Sequence, residues 1–136
     1  MRILFLGDIV GRCGRDAVLE RLPGLRETLS LDLVIVNAEN ASHGFGLSPD
    51  IATNLFKGGV DVITLGNHSW DRRDLIPHID TPTRITRPLN FPPGPPRNGS
   101  VHVALAVGRN ALVMNVMGRR FMDPLDDPLR CTNDMM

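Results

Sequence analysis

Cysteine is nearly missing from this chain. Cys13 and Cys131 are the only two, far apart and outside any CxxC pair, which argues against a disulfide framework and points to a reducing compartment. Net charge is missing as well, since 15 Lys+Arg stand against 15 Asp+Glu for a formal charge of +0 at pH 7. That balance argues against a partner held by bulk electrostatics, such as duplex DNA or an anionic membrane face. Lysine is reduced to Lys57, and the arginines that supply the rest of the basic residues form no run. Long apolar runs are absent too. The stretch 1–6 stops at Gly7-Asp8, too short for a secretory h-region or a membrane span. The expectation is a cytoplasmic protein without a leader.

Two phosphate-binding fingerprints are also lacking. The text from Gly7 to Gly14 is not GxGxxG, and no GxxxxGK[ST] occurs, so neither a dinucleotide fold nor a P-loop is supported. A haloacid-type nucleophile would want a second aspartate two positions after Asp8, where Val10 stands.

Against these absences stand 136 residues that are 42% hydrophobic. Chains of roughly 100–200 residues usually form one domain, and one of this size buries about two-thirds of its unfolded surface without staples. A single domain over 1–136 is expected. Residues 3–6 read as a strand buried on both faces. A helix over 15–29 follows, interrupted at Pro23-Gly24. A second strand at 33–36 leads through a polar loop to Ser48-Pro49, an N-cap with proline at the first helical position, and that helix stops at Gly58-Gly59. A third strand spans 60–65. Strands alternating with helices predict an α/β fold with a parallel sheet. Beyond Asp80, residues 84–87 read as a short strand, 88–96 as a rigid proline-rich loop, and 101–107 with 111–116 as a hairpin turning at Gly108-Arg109-Asn110. The segment from Phe121 to Pro128, polar and punctuated by proline, reads as weakly structured.

In an open parallel sheet, ligands collect outside the carboxyl ends of the strands. Three such ends carry unusual residues: Asp8 after the first strand, Glu39 with Asn40 after the second, Asn67 with His68 after the third. Singly, each is as readily a turn, a cap or a solvated charge. Together they form a set of carboxylates, amide oxygens and one imidazole suited to Mn, Fe, Zn or Mg. The other histidines, His43, His78 and His102, lack zinc-finger or HExxH spacing and are expected to be structural. Cys13 reads as an unreactive thiol. Trp70 reads as a residue packed behind the third loop, and Asp71-Arg72-Arg73-Asp74 as a solvated helix start.

Five segments now line up in order: Gly7-Asp8-Ile9-Val10-Gly11-Arg12, Asn37-Ala38-Glu39-Asn40-Ala41, Gly66-Asn67-His68-Ser69-Trp70-Asp71, the loop from Arg87-Pro88 to Pro93-Gly94, and Phe121-Met122-Asp123-Pro124. They closely resemble the YmdB-like branch of the calcineurin-type metallophosphoesterases, to about residue 130. Cys13 stands where that branch usually has proline. The wider superfamily's histidine two residues after the first aspartate is absent, and Glu39 replaces its second aspartate; both departures belong to the branch.

The resemblance implies the parallel β-α-β start of a four-layer αββα sandwich, truncated relative to a family pattern that continues for about as many residues again. It implies two divalent metal ions (Fe, Mn, Mg or Zn) and hydrolysis of a small phosphodiester, with 2',3'-cyclic nucleotides favoured. Asp8 would hold one ion, Glu39 would bridge both, Asn40 and Asn67 would add oxygen ligands, and His68 would protonate the leaving oxygen or steady phosphoryl charge. Four positive charges against two carboxylates would leave a cationic site for a phosphate. Further metal-binding histidines belong to the family's second half, so this chain is expected to have an incomplete shell, weak metal binding and little activity. The alternative is a non-catalytic remnant or regulatory module binding a protein or RNA partner. An uncovered sheet face would also promote association into a homo-oligomer.

Overall fold

The computed structural model describes residues 1–79, 84–92 and 99–136. Four short parallel strands form the main sheet in the order β1-β2-β3-β4: β1 (Ile3–Leu6), β2 (Leu33–Asn37), β3 (Val62–Thr64) and β4 (Ile85–Thr86). Helices α1 (Gly11–Leu29) and α2 (Pro49–Lys57) connect the first three strands. A 3-10 turn at Arg73–Leu75 runs into the one-turn α3 (Ile76–Ile79) before β4. An antiparallel hairpin follows, β5 (Ser100–Ala104) and β6 (Asn110–Met114), and the chain closes on α4 (Pro128–Met135).

Side-chain alternation along β2 and β3 separates two cores. Val34, Val36 and Ile63 point to one face and cluster with Val18 and Leu22 of α1 and Ala52 and Leu55 of α2. Leu33 and Val62 point to the other and meet Val101 and Val113 of the hairpin. Each fully buried aliphatic side chain contributes on the order of 1.5–3 kcal/mol. Helices, parallel sheet and second sheet thus stack as three layers, in the sequence the resemblance implies. Among the described residues, no helix is long and apolar enough to cross a membrane.

Several elements depart from expectation for identifiable reasons. β1 is not buried on both faces: it is the sheet's edge strand, and the hairpin covers β2 and β3, leaving Ile3 and Phe5 exposed. α1 begins four residues earlier than expected and runs unbroken through Pro23. Its turns on both sides of the proline are anchored, by buried Leu22 and by Arg26, which donates to Gly59 O and Asp61 Oδ2. β3 is shorter than 60–65. The hairpin strands are also shorter, because Val107 and Gly108 both take positive φ (61° and 68°) and curl the connection into a 3-10 turn.

Residues 121–127 carry no helix or strand, as expected, and α4 follows them. Asp127 caps α4 by accepting from the N–H groups of Leu129 (2.9 Å) and Arg130 (3.2 Å), with Pro128 at the first helical position. The same device, Ser48-Pro49, opens α2, where Ser48 Oγ accepts from Ile51 N. In the 88–96 loop, Pro88 is buried and accepts from Arg87, while residues 93–98 lie outside the described residues, as do 80–83.

Candidate functional site

The carboxyl ends of the first two strands are zipped together beyond the sheet itself. Ile9 N donates to Asn37 O (3.0 Å), Val10 bridges Asn40 in parallel, and Gly11 N donates to Asn40 O (2.9 Å). Gly11 then turns into α1 with φ 57°, a left-handed conformation that glycine adopts without a Cβ clash. This zipper sets Asp8 beside Asn40, whose Nδ2 lies 3.0 Å from Asp8 Oδ2 at the exposed rim.

The third loop is a tight turn. Ser69 donates to Gly66 O from both its N–H (3.1 Å) and its hydroxyl (2.5 Å), and Asp71 N reaches His68 O. From behind, the amide of Asn115, just past the end of β6, donates to Leu65 O. Glu39 lies against this turn: its Oε2 accepts from His68 N (3.2 Å), and its carboxylate fills the space where a Cβ on residue 66 would sit. Any side chain there would displace Glu39. His68 Nδ1 is 2.7 Å from Asp71 Oδ2, and the ring of Phe45 meets the imidazole edge-on with centroids 5.2 Å apart. The five sequence-singled residues therefore fall into two contact groups, Asp8 with Asn40 and Glu39 with the turn carrying Asn67 and His68. Asn67 is exposed and lines a cavity next to Trp70.

The donor chemistry fits an oxygen-preferring divalent ion in part. Asp8 accepts from the Asn40 amide nitrogen at 3.0 Å, so Asn40 would have to turn its amide over to offer Oδ1 beside that carboxylate. A carboxylate cradled on a glycine is a second preformed donor. Among the described residues, however, no group of three or more His, Cys, Asp or Glu is placed to hold a metal ion. The amides of Asn40 and Asn67 are further oxygen-bearing side chains at this edge.

Three contributors have roles that the sequence analysis does not give them. Asp71, expected at a solvated helix start, grips His68 from three residues on. Gly66 belongs to the matching third segment but acts by lacking a side chain, and Phe45 reaches across from the second loop. Arg72 reaches back to Ser42 Oγ (3.4 Å) as well as pairing with Asp74, so it braces the second and third loops instead of only facing water. His43 is exposed at φ 56°. At the end of β4, burial pushes the Arg87 guanidinium below its usual range; its carbon sits 5.9 Å from the Phe91 ring centroid.

A family model described as "YmdB-like protein" matches residues 4–136. A protein of Bacillus subtilis (strain 168) named 2',3'-cyclic-nucleotide 2'-phosphodiesterase is 43% identical over 136 residues, which is 100% of this chain and 51% of that protein. The crystal structure of a hypothetical protein from Thermus thermophilus matches with a TM-score of 0.92 at 42% identity, covering 99% of this chain and 52% of that one. A crystal structure described as a novel phosphatase, from Mycoplasma pneumoniae, gives 0.88 at 32% identity, over 98% of this chain and 49% of that one. The chain thus spans about half the length of these relatives.

Proposed function

This chain belongs to the YmdB-like family, and from that premise we propose that it carries part of the site of a metal-dependent phosphodiesterase acting on small phosphodiesters such as 2',3'-cyclic nucleotides. The observation that carries the reading is the convergence at one sheet edge of the Asp8–Asn40 pair and of Glu39 cradled on Gly66. Asp8 and Glu39, with the amide oxygens of Asn40 and Asn67, would hold divalent ions. Bound there, such ions supply charge neutralisation at phosphoryl oxygens and an acidified water. The chain's own residues do the rest. Asp71 holds His68 Nδ1, which leaves Nε2 free to give a proton to the leaving oxygen. Phe45 restricts the tilt of the imidazole. Gly66 keeps the Glu39 carboxylate at the turn.

The ion's identity is left among Fe, Mn, Mg and Zn by the donor set. A donor set of two carboxylates and two amide side chains is expected to give weak metal binding and slow turnover in these 136 residues. The alternative is a binding module for a protein or RNA partner. Calorimetric titration with Mn, paired with hydrolysis of adenosine 2',3'-cyclic phosphate, separates them. Under the enzyme reading, Asp8→Ala and Gly66→Ala lower metal affinity together with the residual rate, and His68→Ala lowers the rate by about 10²–10⁴-fold while metal binding stays. Residual turnover indifferent to Asp8→Ala and His68→Ala sinks the phosphodiesterase reading, and tight stoichiometric metal with brisk turnover sinks the incomplete shell.

A further inference from the structure

We propose that the cavity beside the third-strand turn seats the nucleobase of the substrate, with Trp70 and Phe91 as its aromatic walls. The proposal rests on the phosphodiester reading above for the other end of the molecule. The cavity holds about 220 Å³ and is lined by Asn67, Trp70, Phe91, Met117, Met122 and Asp123, among others. Asn67 belongs to the metal-facing set and His68 follows it, so the pocket opens onto the edge where phosphate chemistry is placed.

Size, charge and rigidity point to one kind of occupant. The volume is below the roughly 300–1,000 Å³ of pockets that enclose whole drug-sized ligands, so it suits a single ring system. Among the described lining residues only Asp123 is charged. A carboxylate repels the phosphate end, directs it toward the divalent-ion donors, and accepts hydrogen bonds from a ring bearing an exocyclic amine. The indole and phenyl rings lie 5.8 Å apart at 42°, and two methionines supply polarizable surface; bases stack on such aromatic faces with little dependence on identity. The walls are also prebuilt. Asn90, fully buried, donates to Met117 O (2.8 Å) and Asp126 O (3.1 Å) and accepts from Met117 N (2.9 Å), which clamps both ends of the segment carrying Met122 and Asp123. Trp70 packs on the helix-side core, as expected of a residue behind its loop, and also lines this cavity.

Trp70 is the sole tryptophan, so its indole N–H resonance and its emission report the pocket directly. Titration of the full chain with adenosine, which has no phosphate, should shift the resonance and quench the emission saturably, and inorganic phosphate should do neither. Adenosine 2',3'-cyclic phosphate should shift it in the same direction. Phe91→Ala and, on the exposed rim where folding is not at stake, Met122→Ala should each weaken adenosine binding about tenfold. Absence of a saturable response to adenosine, or an equal response to phosphate, or adenosine affinity unchanged in a folded Met122→Ala, overturns the proposal. Asp8→Ala keeps the two readings apart: loss of metal binding with an intact adenosine response shows the pocket to be independent of the ions. Retained Mn binding with no adenosine response removes the pocket and leaves the phosphodiesterase reading standing.

Discussion

The two faces of the parallel sheet are built from the same strands and meet different covers. On the helix side, Val34, Val36 and Ile63 are sealed beneath α1 and α2. On the opposite side the hairpin seals Leu33 and Val62, while Ile3 and Phe5 of the edge strand remain 48% and 59% exposed. Between them and β6 runs a groove of about 660 Å³, lined by Ile3, Phe5, Ile35, Leu112 and Val116 and, among the described residues, by no charged side chain. An apolar strand residue records what environment it suits; the element that provides that environment is a separate fact. Of the donors at the sheet edge, Glu39, Asn40, Asn67 and His68 follow the covered strands β2 and β3, while Asp8 follows the open edge strand β1.

The largest expected effect tests the comparison itself. Ile63→Ala on the sealed face should cost about 2–5 kcal/mol in urea unfolding, the transfer loss plus a cavity that helices on one side cannot collapse. Phe5→Ala on the open face should cost well under 1 kcal/mol, because the ring already faces solvent. Equal costs would mean that the groove is covered in solution. Light scattering then identifies a self-made cover: association that disappears in Phe5→Glu assigns it to a second copy, and a monodisperse monomer at all concentrations rules that copy out.

Legibility in the sequence followed the same division. The alternation of strands with helices, the Ser48-Pro49 cap and the residues at three strand ends could be read because each depends on local pattern. The exposure of β1 could not, since Ile3-Leu4-Phe5-Leu6 is apolar throughout and nothing in it says that it lies at the edge. The unbroken helix through Pro23 was invisible because tertiary anchors at Leu22 and Arg26 override the proline's cost. In contrast, α4 was available: Asp127-Pro128 carries the signal that was used at Ser48-Pro49, and a polar tail masked it. At the site, the residue types were legible and their partners were not. The grip of Asp71 on His68 and the cradle at Gly66 exist only once the third turn closes.

Acid should loosen the two faces in order, the hairpin side first. Asp32 joins that side to the amino end of the sheet: it accepts from Arg2 N (2.7 Å) and from Arg109 in the hairpin turn (2.7 Å). The Arg2 backbone N–H, followed by the Arg109 guanidinium, holds its carboxyl below the usual range. A carboxylate with a depressed folded pKa stabilises fully above its unfolded value of about 3.9, and that contribution is lost as pH falls through the folded value. Amide exchange at Val103 should therefore accelerate relative to Val36 as pH drops below about 4, after correction for intrinsic rates. Asp32→Asn should flatten that difference. Parallel acid responses at both amides would show that Asp32 does not couple the hairpin to the sheet.

The smallest expected effect concerns a polar atom on the same hairpin side. Thr86 pairs in register with Thr64, is fully buried, and its hydroxyl lacks a hydrogen-bond partner among the described residues. A buried unsatisfied hydroxyl costs roughly 1–3 kcal/mol, and valine has the same shape without it. Thr86→Val should thus raise the urea midpoint by an amount equivalent to about 1 kcal/mol, leaving the unfolding slope unchanged. A destabilised Thr86→Val would instead mean that the hydroxyl is satisfied in solution. It would then count as a built polar contact on the less completely covered face, and the contrast between the two covers would narrow at β4.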